Sequence, residues 1–140
     1  MRIYLASPFF NEEELRNVEL AEELLTSRGF DVFSPRLNEV RIDDVVGSEA
    51  WSKETFLNDR INIDASDVVV MLYYGAYSDS GTAWECGYAY ATNKPVIVVQ
   101  IGDDSNLMVH EGCHSNITLK ELKSYNFEKM PRKSYSGKMY

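Results

Sequence analysis

The chain has 140 residues, is 44% apolar and carries a formal net charge of −8. That length fits one domain, residues 1–140, with enough apolar content for a core. An acidic balance with no basic cluster counts against a nucleic-acid polymer or an anionic membrane as partner and favours a small neutral or weakly basic ligand.

No apolar run approaches the roughly 20 residues of a membrane helix. The opening segment Ile3-Tyr-Leu-Ala6 lacks the basic stretch that precedes the apolar core of a signal peptide. Cys86 and Cys113 form no CxxC pair and two thiols make no disulfide framework, so a reducing, cytoplasmic setting is expected.

In chain order, residues 2–6 read as a buried strand. Asn11 to Arg28 reads as a helix: Asn11 is placed to cap it, Glu12 to Glu14 suit the positive end of its dipole, and Leu15, Val18, Ala21, Leu24 and Leu25 keep one face apolar. Gly29 is placed to end it. A second strand covers Phe30 to Phe33, and residues 36–48 read as a long loop of the kind that often carries function. Helices are expected over Ser52–Ala65, Gly81–Thr92 and about Thr118–Ser124, with strands over Asp67–Leu72 and Pro95–Ile101. The tail from Pro131 reads as irregular. This alternation predicts an α/β fold with a parallel sheet and helices on both faces. In such sheets ligands bind at the carboxyl ends of the strands, which selects the loops 6–11, 34–48, 73–82 and 102–110.

The richest of these follows the third strand: Tyr73-Tyr-Gly-Ala-Tyr-Ser-Asp79-Ser-Gly81-Thr-Ala-Trp-Glu85-Cys-Gly87. Gly75 and Gly81 permit a tight turn and close backbone approach to a ligand. Ser80 or Thr82 could cap the helix. Asp79 and Glu85 could share a sugar, although spacing alone also fits a capping residue and an ordinary acid near a helix start. The aromatics Tyr73, Tyr74, Tyr77, Trp84 and Tyr88 could stack on a base or simply pack. The segment lacks GxGxxG and GxxxxGK[ST], so a phosphate cradle is not expected.

Elsewhere, Phe9 and Phe10 could wall a pocket or equally pack in the core. Tyr4 could donate a hydrogen bond to a carboxylate, as many strand tyrosines do not. Asp59 could meet a base edge, although a solvated helix acid is the reading its position alone favours. His110 and His114, beside Cys113, would share a face if helical, but no further ligand cluster has metal-site spacing, and no metal or cofactor is expected.

With these residues in view, the chain resembles the nucleoside 2-deoxyribosyltransferase family over nearly its whole length. The likeness rests on Ile3-Tyr4-Leu-Ala-Ser-Pro-Phe-Phe10, Phe33-Ser-Pro-Arg36, Asn58-Asp59, Asp79-Ser-Gly81-Thr-Ala-Trp-Glu85-Cys-Gly-Tyr-Ala, Asn106-Leu-Met108 and the aromatic end Tyr140. It implies a flavodoxin-like, doubly wound sheet of about five strands and exchange of 2-deoxyribose between nucleobases. It implies Glu85 as nucleophile, Tyr4 as the residue orienting it, Asp79 on the sugar hydroxyls and Asp59 at the base. Phe10 would be a pocket wall, and Asn106, Met108 and the Tyr140 carboxylate would reach a neighbouring subunit's site. Family members are typically homohexamers built from dimers. Glu39 stands where some members carry a base-contacting Gln.

The partners implied are deoxynucleosides and free nucleobases. A hydrolase of the same superfamily, with water as acceptor, is the nearest alternative; the acidic, aromatic loop after the first strand disfavours a 5′-phosphate. A non-catalytic nucleoside-binding module is the other, since fold does not fix function.

Overall fold

The computed structural model describes residues 1–40 and 45–140. Residues 41–44, part of the long loop expected over 36–48, lie outside the described residues.

The first strand, β1 (Arg2–Ala6), runs into α1 (Glu12–Ser27), whose first turn is capped by the Asn11 side chain accepting from the Glu14 amide. The helix ends as the sequence implies. Gly29 takes φ +85, its amide donates to the Thr26 carbonyl and the Phe30 amide donates to the Leu25 carbonyl. Both bonds satisfy carbonyls that a helix end otherwise leaves open, and only glycine adopts that backbone without strain.

Then come β2 (Asp31–Phe33), α2 (Glu49–Asp64), β3 (Val68–Tyr73), α3 (Ser80–Ala91) and β4 (Val96–Gln100). Helix α2 starts three residues before the expected Ser52, because Ser48 caps it by accepting from the Trp51 amide. Every residue of β3 is buried, as a continuous apolar run in a sheet centre requires.

Four features differ from expectation. A short helix, α4 (Leu107–Gly112), and a strand, β6 (Ser115–Thr118), occupy a stretch with no assigned element. The two-residue strand β5 (Asp104–Ser105) pairs with β7 (Lys138–Met139), so the tail is not wholly irregular. The last helix, α5 (Leu119–Leu122), is a single turn closed by a capping box between Thr118 and Glu121. His110 and His114 do not share a helix face: His110 is in α4, while His114 lies beyond it with its ring bonded to the Met130 carbonyl.

The main sheet has five parallel strands in the order β2-β1-β3-β4-β6, the flavodoxin-like arrangement. Alternate side chains feed two cores. Ile3, Leu5, Val68, Val70, Leu72, Ile97 and Val99 meet α1 and α5 on one face. Tyr4, Ala6, Phe33, Val69, Met71, Tyr73 and Val98 meet Ile63 of α2 and Cys86 and Ala89 of α3 on the other. The strand order reverses between β1 and β3. That crevice is where such folds bind ligands, and it lies between Tyr4 on β1 and the helix that follows β3.

Candidate active site

Helix α3 begins where Asp79 turns the chain: its Oδ2 accepts from the Thr82 amide at 2.8 Å and from the Thr82 hydroxyl at 3.0 Å. Asp79 is thus the cap, in place of Ser80 or Thr82. Thr82, read only as a possible cap, is the residue that pins this carboxylate from inside the helix. Gly81 fits the same turn, since a Cβ there would lie 3.0 Å from Asp79 Oδ2.

One helical turn further in, Glu85 faces β1. The Tyr4 hydroxyl donates to Glu85 Oε1 at 2.7 Å, closing a contact between residues 81 apart in sequence. Tyr4 is fully buried. Burial pushes the Glu85 carboxyl up to about 8, the Tyr4 bond opposes that rise, and the charges of Asp59 and Asp79 add to it. The Tyr4 phenol is itself held far above its ordinary range, first by burial and then by the Glu85 and Asp59 charges. It therefore stays a donor. Asp59, on α2, is pushed up by burial to about 6. The crevice thus gathers Tyr4, Asp59, Asp79 and Glu85. Two of its carboxyls titrate near neutrality, an arrangement able to divide nucleophile and acid roles between them.

The remaining candidates lie around or away from this cluster. Phe10 is 73% exposed at the mouth of the loop after β1, stacked on Phe9 at 5.3 Å. Glu39 is exposed and follows Asn38, whose carbonyl accepts from the Asn58 side chain beside Asp59. Asn106 caps α4 by accepting from the Met108 amide, and its own amide donates to the Tyr73 hydroxyl. Met108 is 75% exposed. Tyr140 pairs its backbone with Ser105 and Leu107 and brings its hydroxyl 3.4 Å from that of Tyr73.

Asn106, Met108 and Tyr140 line a cavity of about 620 Å³ together with Ala83, Cys86, Gly87 and Tyr90. These α3 positions form the flank opposite Glu85, so the cavity and the carboxylate cluster use different sides of one helix. Tyr73, read only as part of an aromatic run, proves to be the hydroxyl that joins this second group; its position as the last residue of a central strand was the available signal.

Among the described residues no group of three or more His, Cys, Asp or Glu is placed to hold a metal ion. Burial raises the Cys86 thiol to about 12 and the Cys113 thiol to about 11, so neither is a ready nucleophile.

A family model described as nucleoside 2-deoxyribosyltransferase matches residues 3–119. A nucleoside deoxyribosyltransferase of Limosilactobacillus fermentum is 29% identical over 144 residues, covering 90% of this chain and 86% of that protein. A solved 2-deoxyribosyltransferase from the psychrotolerant bacterium Bacillus psychrosaccharolyticus superposes with a TM-score of 0.87 at 39% identity, over 96% of this chain and 99% of that one. A CMP N-glycosidase of Clostridium botulinum shares the fold, with a TM-score of 0.59 at 20% identity over 89% of this chain and 94% of that one. The crevice with its carboxyl cluster thus sits on a chain that belongs to the nucleoside 2-deoxyribosyltransferase family.

Proposed function

We propose that this protein exchanges the nucleobase of 2′-deoxynucleosides through a covalent 2-deoxyribosyl ester on Glu85. The observation that carries the proposal is the 2.7 Å bond from the Tyr4 hydroxyl to Glu85 Oε1 at the strand-order reversal. It fixes one carboxylate oxygen and leaves the other to attack.

Cleavage of the C1′–N bond passes through an oxocarbenium-like state. The ionised Glu85 oxygen bonds to C1′ as the C1′–N bond breaks, and the electron pair goes to the base nitrogen. Protonated Asp59 supplies a proton to the leaving base. A second base then attacks C1′ from the face the first one left, the ester bond breaks, Glu85 regains its charge, and Asp59 takes back the proton. Two displacements retain the configuration at C1′. A 2′-hydroxyl would withdraw electrons from the cationic state, so deoxy substrates react faster. Asp79 holds the sugar hydroxyls beside Gly81, and Phe10 and Glu39 flank the base. None of these steps calls for a metal or an organic cofactor.

Between about pH 6 and about pH 8 the Asp59–Glu85 pair holds one proton. Glu85, with the higher of the two values, holds that proton most of the time; the productive form is the minor arrangement that carries it on Asp59.

Asn106, Met108 and Tyr140 serve a neighbouring copy's site in a dimer-based assembly. Their place on the opposite flank of α3 and the exposure of Met108 support this. A cytoplasmic setting fits the two free cysteines.

The test incubates the protein with thymidine and adenine, then with thymidine alone, and separates the products by chromatography. Deoxyadenosine plus thymine in the first mixture is the expected result. Thymine released equally well without adenine would reassign the acceptor to water, and ligand binding without turnover would make the chain a nucleoside-binding module.

A further inference from the structure

The segment Phe33-Ser-Pro-Arg36 has no part in the chemistry above, yet it abuts the residue that holds Glu85. Phe33 is the cross-strand partner of Tyr4 in the β1–β2 pairing. Partners in register point to the same face of a sheet, and both side chains enter the core shared with α2 and α3. Their rings stack with centroids 5.4 Å apart and planes 21° from parallel. Val69 is the register partner of Tyr4 on the other side, so the phenol ring is held between two neighbours.

The end of β2 is itself fastened. Glu22 of α1 is buried and accepts from the Ser34 hydroxyl at 2.7 Å and from both Nε and Nη2 of Arg36. Glu19 adds a second carboxylate 3.7 Å from Arg36 Nη1.

We propose that Phe33 is a positioning residue for the transfer reaction: its ring, seated by the Glu22 clamp on Ser34 and Arg36, sets the plane of the Tyr4 ring and so the direction in which the Tyr4 O–H bond points at Glu85. Turning a phenol about its Cβ–Cγ bond leaves the oxygen in place but swings the O–H bond, which prefers the plane of the ring, and packing on the ring fixes that plane. A hydrogen bond weakens steeply as its angle degrades. An aliphatic side chain at 33 would fill space without fixing a plane. The groups facing Glu85 are Tyr4 from β1, Asp59 from α2 and Asp79 at the start of α3. Of these only Tyr4 lowers its proton affinity, so a misdirected hydroxyl leaves the two acids unopposed.

The inference rests on the proposed role of Glu85, and its test separates the two. The variants are Phe33→Leu and Phe33→Met, the latter keeping much of the volume without a ring, with Leu25→Ala on the opposite face of the sheet as a stability control. Carboxyl-labelled glutamate is followed by NMR across pH, with the Glu85 signal assigned by its loss in Glu85→Gln. Both Phe33 variants should raise the Glu85 midpoint by about half a pH unit, a partial loss of one charged hydrogen bond and less than the shift from removing the Tyr4 hydroxyl outright. Transfer should fall about threefold in kcat with KM little changed, and the alkaline limb of the pH profile should move upward. Leu25→Ala should lower Tm without moving either. In a Tyr4→Phe background the Phe33 variants should have no further effect on the midpoint.

An unmoved Glu85 midpoint in Phe33→Met, or an equal rise in the Tyr4→Phe background, overturns the inference. If the wild type neither transfers nor hydrolyses, the proposed function fails while the carboxyl titration still decides the role of Phe33.

Discussion

Replacing Tyr4 with Phe removes one oxygen and leaves the ring in its stack on Phe33. The lost bond, 2.7 Å long, favours the ionised form of Glu85. A hydrogen bond to a charged group contributes about 1.5–3 kcal/mol, equivalent to about one to two pH units on Glu85. Glu85 is only partly buried, so water can replace part of the bond and the lower end applies. The sign follows from which form the bond stabilises: without it the Glu85 midpoint moves up from about 8. The form with Glu85 ionised and Asp59 protonated then becomes about tenfold rarer. The assay is kcat/KM for transfer from thymidine to adenine from about pH 5 to about pH 10. The expected result is an approximately tenfold loss at the optimum with the alkaline limb shifted upward. A Tyr4→Phe variant with wild-type kcat/KM and unmoved limbs would refute the assignment of Tyr4 as the group that keeps Glu85 ionisable.

The wild-type profile of kcat/KM should be bell-shaped with limbs near 6 and 8, set by Asp59 and Glu85 together; a profile flat through neutrality would exclude this pair. The raised Glu85 pKa means the folded state holds that proton more tightly than the unfolded chain does. The associated stability is fully present below about pH 4.5 and is lost as pH rises to about 8. Urea unfolding of wild type against Glu85→Gln should show a gap that changes by a few kcal/mol across that window. Arg36→Met should lower stability by about 3 kcal/mol, because it strands the buried Glu22 with Ser34 as its remaining partner; the urea midpoint reads this, and Glu22→Leu combined with Arg36→Met should recover part of it. Gly81→Ala places a Cβ 3.0 Å from Asp79 Oδ2, and should raise KM for the nucleoside more than it lowers kcat if Asp79 holds the sugar.

The central elements were legible because their signals are local. The apolar run of β3, the cap and dipole pattern of α1 and the Gly29 stop are each written within a few residues. Strand β6 was not, because Ser115 and Asn116 look like loop residues. They are buried only because the tail and β4 supply their partners: Ser115 accepts from the Lys133 amide and Asn116 donates to the Gln100 side chain. The same holds for α4, too short to show periodicity, and for β7, which exists only by pairing with β5. At the site, Asp79 and Glu85 sit in one legible motif. Their separation into cap and Tyr4 partner is a tertiary fact, as is the stacking of Phe33 on Tyr4. The resemblance supplied the pairing of Tyr4 with Glu85, which spacing could not.

The most direct test of the account is to look for the sugar on the protein. Wild-type protein mixed with thymidine alone, quenched in acid and digested, should yield the peptide containing Glu85 with one 2-deoxyribosyl group esterified to that side chain. The adduct should vanish on adding adenine before the quench and never form in Glu85→Gln. An adduct on another residue, or base exchange at the wild-type rate by Glu85→Ala, would contradict the assignment of Glu85 as the nucleophile.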